Sequence, residues 1–233
     1  MIGWRPLALS IAWVVLLAPA IDAQDLSRYR ELQFGMTLTA VAQHVGVKPS
    51  EARVIHQRPA LIQELEWQPQ FLPGAPAQGD SVRTIRCSFY DGRLFRITVT
   101  YDRDKTEGLT EQDIVDAMSA SYGLANLPAT EISSSSARPR EDLGWASDDK
   151  VVAQWEDSQY AINLVHFKYP AGFGLVLFSK QVNALALVAT VEATRLDTQE
   201  APQREVDRLK SQDEANRAKQ EKARLVNKAA FRF

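Results

Sequence analysis

The sequence predicts an α+β fold: two tandem units, each a helix plus an antiparallel sheet, forming one core and followed by a C-terminal helical tail. Three observations point there. A glycine–any–threonine opening precedes an amphipathic stretch twice, at Gly35 to Thr37 and at Gly108 to Thr110. Two hairpin patterns, FYDGRLFRITVTYD from Phe89 and WEDSQYAINLVHFK from Trp155, align with turn and second strand in step. The offsets of 73 and 66 residues differ by an amount a loop absorbs, so the pattern reads as an internal repeat.

The first 23 residues form a separate unit. Arg5 precedes the apolar run Leu7 to Ala20, and small residues follow. This is the pattern of a secretory signal peptide, cleaved after Ala20 or after Ala23. The run is too short to span a bilayer comfortably, so no integral span is expected once it is removed. The rest divides into a tandem α+β domain over 24–181 and a charged tail over 182–233. Repeat one covers about 32–102 and repeat two about 105–181.

Within repeat one, Leu38, Val41, Ala42 and Val45 share a helical face. Thr37 or Thr39 is placed to cap the helix and Gly46 to end it. Leu61 to Trp67 reads as a strand with Leu61, Leu65 and Trp67 on one side, and Pro69 to Asp80 as a loop. Ser81 to Tyr90 alternates, with Ile85, Cys87 and Phe89 on one face. Asp91-Gly92 is the chain's strongest hairpin signal. Arg93 to Tyr101 then sends Phe95, Ile97, Val99 and Tyr101 one way and Arg96, Thr98 and Thr100 the other.

Repeat two opens with a helix capped by Thr110, with Asp113 completing a capping box and Gly123 closing it. Leu127 to Gly144 is a Ser/Pro-rich loop. Val151 to Asp157 and Ser158 to Phe167 form a second hairpin, and Gly172 to Lys180 a further strand. Val182 to Arg195 reads as a helix. Pro202 predicts a break or a fresh helix start, and the apolar spacing beyond it does not sustain coiled-coil heptads.

Composition narrows the function. The chain is 45% hydrophobic and 24% charged with a net charge of −2, which lacks the basic excess of a nucleic-acid binder. Cys87 is the only cysteine, so no internal disulfide forms, and its strand position makes it a buried thiol. His44, His56 and His166 are scattered without metal-ligand spacing. No nucleophile elbow or phosphate loop occurs, and Ser133 to Ser136 lie in the low-complexity loop. No catalytic, cofactor or metal residue is therefore assigned, and no cofactor is expected. The face bearing Arg96, Thr98 and Thr100 is the candidate partner contact, since a two-sided sheet can grip another protein. Two alternatives stay open: a small-molecule carrier between the repeats, and a hydrolase using Glu64, Glu66 or Asp157.

Gly35-Met36-Thr37, Val41 and Gly46 together resemble the helix opening of the SmpA/OmlA-type envelope lipoproteins and of the related β-lactamase-inhibitor-protein fold. The turn from Phe89 to Gly92 is similar to their hairpin. The resemblance covers Leu32 to Lys180 in outline. It implies a non-catalytic, exported protein-binding scaffold of the cell envelope, periplasmic or secreted, whose partner is an envelope protein it does not identify. The lipoprotein cysteine is absent, so no lipid anchor carries over. The usual Gly-any-Pro is stretched to Gly46-Val47-Lys48-Pro49, and the tail has no counterpart.

Overall fold

A computed structural model describes residues 25–69, 80–126, 149–168, 171–230 and 232. The signal-peptide reading, the core of the first Pro/Gly loop and the Ser-rich loop lie outside these residues. Within them, a two-stranded ribbon of β1 (Arg28–Tyr29) and β2 (Leu32–Gln33) leads into α1 (Leu38–Val45). Thr37 caps α1 by accepting the Ala40 N–H at 3.2 Å, and Gly46 ends it at φ 74°. A 3-10 turn at Pro49–Glu51 precedes β3 (Arg53–His56), a strand that the sequence pattern did not reveal.

The main sheet adds β4 (Ile62–Trp67), β5 (Val82–Tyr90) and β6 (Arg93–Tyr101). Two helices follow, the single turn α2 (Arg103–Thr106) and α3 (Glu111–Tyr122). Thr110 and Asp113 form the expected capping box on α3. The sheet resumes with β7 (Lys150–Glu156), β8 (Tyr160–Lys168) and β9 (Ala171–Ser179), and α4 (Lys180–Ala230) closes the chain.

All seven strands pair antiparallel in the order β3-β4-β5-β6-β9-β8-β7. The last strands of the two meanders, β6 and β9, therefore lie side by side at the centre. Aligning the Asp91 turn with the Asp157 turn equates β6 with β8, whereas by place in the sheet β6 matches β9. The inner face carries most of the core: Leu65, Cys87, Phe89, Ile97, Val99, Ile162, Leu164 and Leu177 meet Val41 and Ala42 of α1 and Ile114, Val115 and Met118 of α3. Trp155 ties α3 down by donating its indole N–H to the Gly123 carbonyl at 2.9 Å.

The β5–β6 turn has both Asp91 and Gly92 at positive φ, 47° and 75°, as a two-residue hairpin of matching twist requires. Just past it the alternation fails. Ser88 pairs with Arg96 but Phe89 with Leu94, which leaves Phe95 as the extra residue of a β-bulge. Leu94 thus joins Ile97 and Val99 on the inner face, and Phe95 turns to the outer face beside Ala60, Ile62, Ala186 and Ala189. The expectation that Phe95 shares a face with Ile97 is corrected by this one-residue slip.

The outer face receives α4. This helix runs unbroken for 51 residues with Pro202 inside it, which corrects the expected break. Pro202 offers no N–H to the carbonyl of Thr198, but Arg204 steadies the same turn by donating to the Asp197 carbonyl at 3.0 Å and its carboxylate at 2.9 Å. Only Asn183, Ala186, Ala189 and Ala193 of α4 are buried, and every residue of 201–230 is exposed. Proline inside a helix costs about 3 kcal/mol against alanine. Pro202→Ala is expected to slow amide exchange at residues 203–206 at least tenfold, with no change in the exchange of β5 or β6; equal exchange rates would show that the turn carries no strain.

Candidate functional site

The catalytic candidates are engaged in structural contacts. Glu64 accepts from Arg53 at 3.2 Å, and Glu66 from Arg86 at 2.7 Å. Asp157 shapes the β7–β8 turn by accepting the backbone N–H groups of Gln159 and Tyr160 at 2.6 and 2.7 Å. Among the described residues, no group of three or more histidines, cysteines or carboxylates is arranged to hold a metal ion. The histidines are apart: His44 lies 3.6 Å from Glu31, His166 stacks on Phe173, and His56 lines a cleft beside β3. Cys87 is fully buried, and burial pushes its thiol well above the ordinary range, so it is unreactive in the folded chain.

What remains is the outer face of the central strands. Arg96, Thr98 and Thr100 stand along β6 at the register positions of Phe178, Val176 and Gly174 on β9. All three are half-buried. Arg96 donates through Nε and Nη2 to Asn183 Oδ1 of α4, at 3.0 and 2.5 Å. Its guanidinium also sits 5.6 Å from the centre of the Phe95 ring. Burial draws its pKa down to about 10, with the Glu64 charge pulling the other way. The first turn of α4 is thus seated on Arg96, so that part of the candidate contact surface is covered by the chain's own helix. Periodicity had no means of showing this, because the covering partner lies 87 residues away.

One row farther along, Thr98, Val176, Asn163 and Gln154 are cross-strand neighbours. Asn163 is 7% exposed, and no group donates to its Oδ1. It stands between the apolar neighbours Val165 and Val176, both closed to solvent. An unsatisfied buried acceptor costs roughly 1–3 kcal/mol. Asn163→Leu, which keeps the branching and the number of side-chain heavy atoms, is expected to raise the unfolding free energy by about 1 kcal/mol in urea melts; a fall of that size would show that the Oδ1 is bonded when the protein is in solution. Sequence reasoning missed Asn163, since a polar residue within AINLV looks like an ordinary outward position.

Beside β3, a cleft of about 370 Å3 separates the strand from α4. It is lined by Val54, Ile55, His56, Gln57, Arg58, Asp197 and Arg204. Arg58 pairs with Glu200 across it. Val54 and Ile55 are 44% and 37% exposed on a strand whose other edge has no partner among the described residues. No family model matches the chain, and no curated protein or solved structure matches it. The site is therefore defined by its own geometry: a filled α+β body, a free sheet edge and a long helical arm. No helix among the described residues is long and apolar enough to cross a membrane.

Proposed function

We propose that this chain is an exported, non-catalytic protein-binding or scaffolding protein of the cell envelope, with a signal peptide at its N-terminus. The observation that carries the reading is the arm: residues 201–230 form about 45 Å of helix with every residue exposed. A helix gains most of its stability by packing a face against something, and among the described residues this stretch packs against nothing. Ion pairs within the helix, Arg208 to Glu205 at 2.6 Å and Arg217 to Asp213 at 2.8 Å, support it in the meantime. The engaged carboxylates support a non-catalytic role, as does the resemblance to SmpA/OmlA-type proteins.

The test is a pull-down from envelope extract with the chain from Gln24, beside a version ending at Glu200. The expected result is one stoichiometric protein held by the full chain and lost with the arm. A hydrolase activity of the purified chain that disappears on Glu64→Gln or Asp157→Asn would replace the scaffold reading.

A further inference from the structure

We infer that the chain pairs with a second copy of itself: the free β3 edges join antiparallel about a twofold axis, and each α4 arm lies along the other copy's body. This rests on the scaffold reading and names the first occupant of the arm. Three independent observations converge on it.

The first is the edge. β3 is one of the sheet's two edge strands, paired on one side only among the described residues, and it presents Val54 and Ile55 to solvent. Natural edges are blunted by charge, proline or a cover. β3 is short and carries a register irregularity between Val54 and His56, which limits such pairing to a few residues, but the residues at its middle are β-branched and apolar. Pairing about Ile55 sets Ile55 of each copy opposite its own twin and Val54 opposite His56.

The second is direction. Asn183 of α4 lies over β6, Ala186 and Ala189 over Ile62 of β4, and Glu200 reaches Arg58 beyond β3. The helix thus crosses the sheet toward the β3 side and leaves it there. A copy joined at β3 stands where each arm is heading.

The third is charge. Residues 201–233 carry nine Lys and Arg against five Asp and Glu, a net of +4. Residues 25–200 carry 17 against 23, a net of −6. Among the described residues, Lys219 and Lys222 of the arm have no ion-pair partner. The body is thus opposite in net charge to the arm, and the arm does not fold back onto it among the described residues. A helix face about 10 Å wide and about 45 Å long covers on the order of 450 Å2 on each side. Two such contacts reach the size of a standard stable interface.

The mass of the purified chain from Gln24, at about 50 μM, decides the matter without any other protein present. By light scattering it is expected to be twice the monomer mass at about 50 mM NaCl and to fall toward the monomer at about 500 mM, where charges beyond a few ångströms are screened. Ile55→Lys and the pair Lys219→Glu/Lys222→Glu are each expected to give a monomer at low salt. All three positions are exposed, so at about 500 mM NaCl, where parent and variants are all monomeric, melting temperatures should match. Ile55→Cys supplies a second reading: with Cys87 buried, oxidation should link two copies through position 55 alone. A parent chain that is monomeric at low salt overturns the proposal. So does a dimer that survives Ile55→Lys with an unchanged melt, or a monomer that floats with phosphatidylglycerol vesicles. A monomer that still captures an envelope protein would refute self-pairing and leave the scaffold standing.

Discussion

Gly174→Ala is expected to destabilise the fold by about 3 kcal/mol, at the upper end of what overpacking costs. A Cβ on Gly174 would stand 2.3 Å from Cε2 of Phe167 and 2.4 Å from the carbonyl oxygen of Val99. The first neighbour is a side chain that can rotate. The second is backbone of the adjacent central strand, and it cannot move without breaking the β6–β9 ladder. Phe167→Leu in the same chain should therefore recover only part of the loss. Gly172 is the internal control: it lies two residues earlier on the same face of β9, and a Cβ there meets nothing within 4 Å. Gly172→Ala should shift the urea midpoint little or upward. Equal effects at the two glycines would mean that β9 does not lie against β6 as described.

Arg96 and Asn183 should respond to substitution in opposite directions. Arg96 is charged in both the folded and unfolded chain at neutral pH. Its folded-state pKa, near 10, lies below the ordinary value of 12.5. The sign follows directly. Between those two values the unfolded chain binds more protons, so stability rises with pH; below about 10 the whole burial penalty is present. The charge is thus a cost, offset by its two hydrogen bonds to Asn183 and by Glu64. Asn183→Ala removes the acceptor and leaves the cation buried, which should cost about 2 kcal/mol. Arg96→Met removes the cation with its penalty and should stay within about 1 kcal/mol of the parent or exceed it. In Asn183→Ala the first turns of α4 should also exchange their amides faster. If Arg96→Met proves the more damaging of the two, the guanidinium anchors the helix through contacts other than Asn183.

Local chemistry was legible in the sequence wherever one residue type answers one geometric need. Thr37 with Gly46, Thr110 with Asp113, and Asp91-Gly92 all stand where their backbone roles place them. The inner-face alternation of Ile85, Cys87 and Phe89 held because the bulge opposite Ser88 and Phe89 puts its extra residue on β6 rather than on β5. What escaped was set by partners distant in the chain. The bulge that turns Phe95 outward shifts a register by one residue and leaves no mark in composition. The outward positions of β6 looked wet because nothing near them in sequence covers Arg96. Pro202 pointed to a break, yet the helix continues, and the Arg204 contacts that steady the turn are visible only in three dimensions. Of the proposed contact surface, the strand and its facing residues were readable; the helix seated on it was not.

The junction between β9 and α4 has a mechanical consequence. Ser179 ends the strand and Lys180 begins the helix, with no residue between them. A rod of 51 residues, about 76 Å long, is thereby welded to a strand at the middle of the sheet. Tension at its far tip has no slack linker to take up. It first loads the alanine contacts on Phe95 and the Asn183–Arg96 clasp, then reaches β9, which is held on both sides by ladders to β6 and β8. Small alanine contacts yield before two ladders do. The body would therefore bear a pull on the arm as a fixed mount bears a lever, releasing the helix from the outer face while the sheet stays whole.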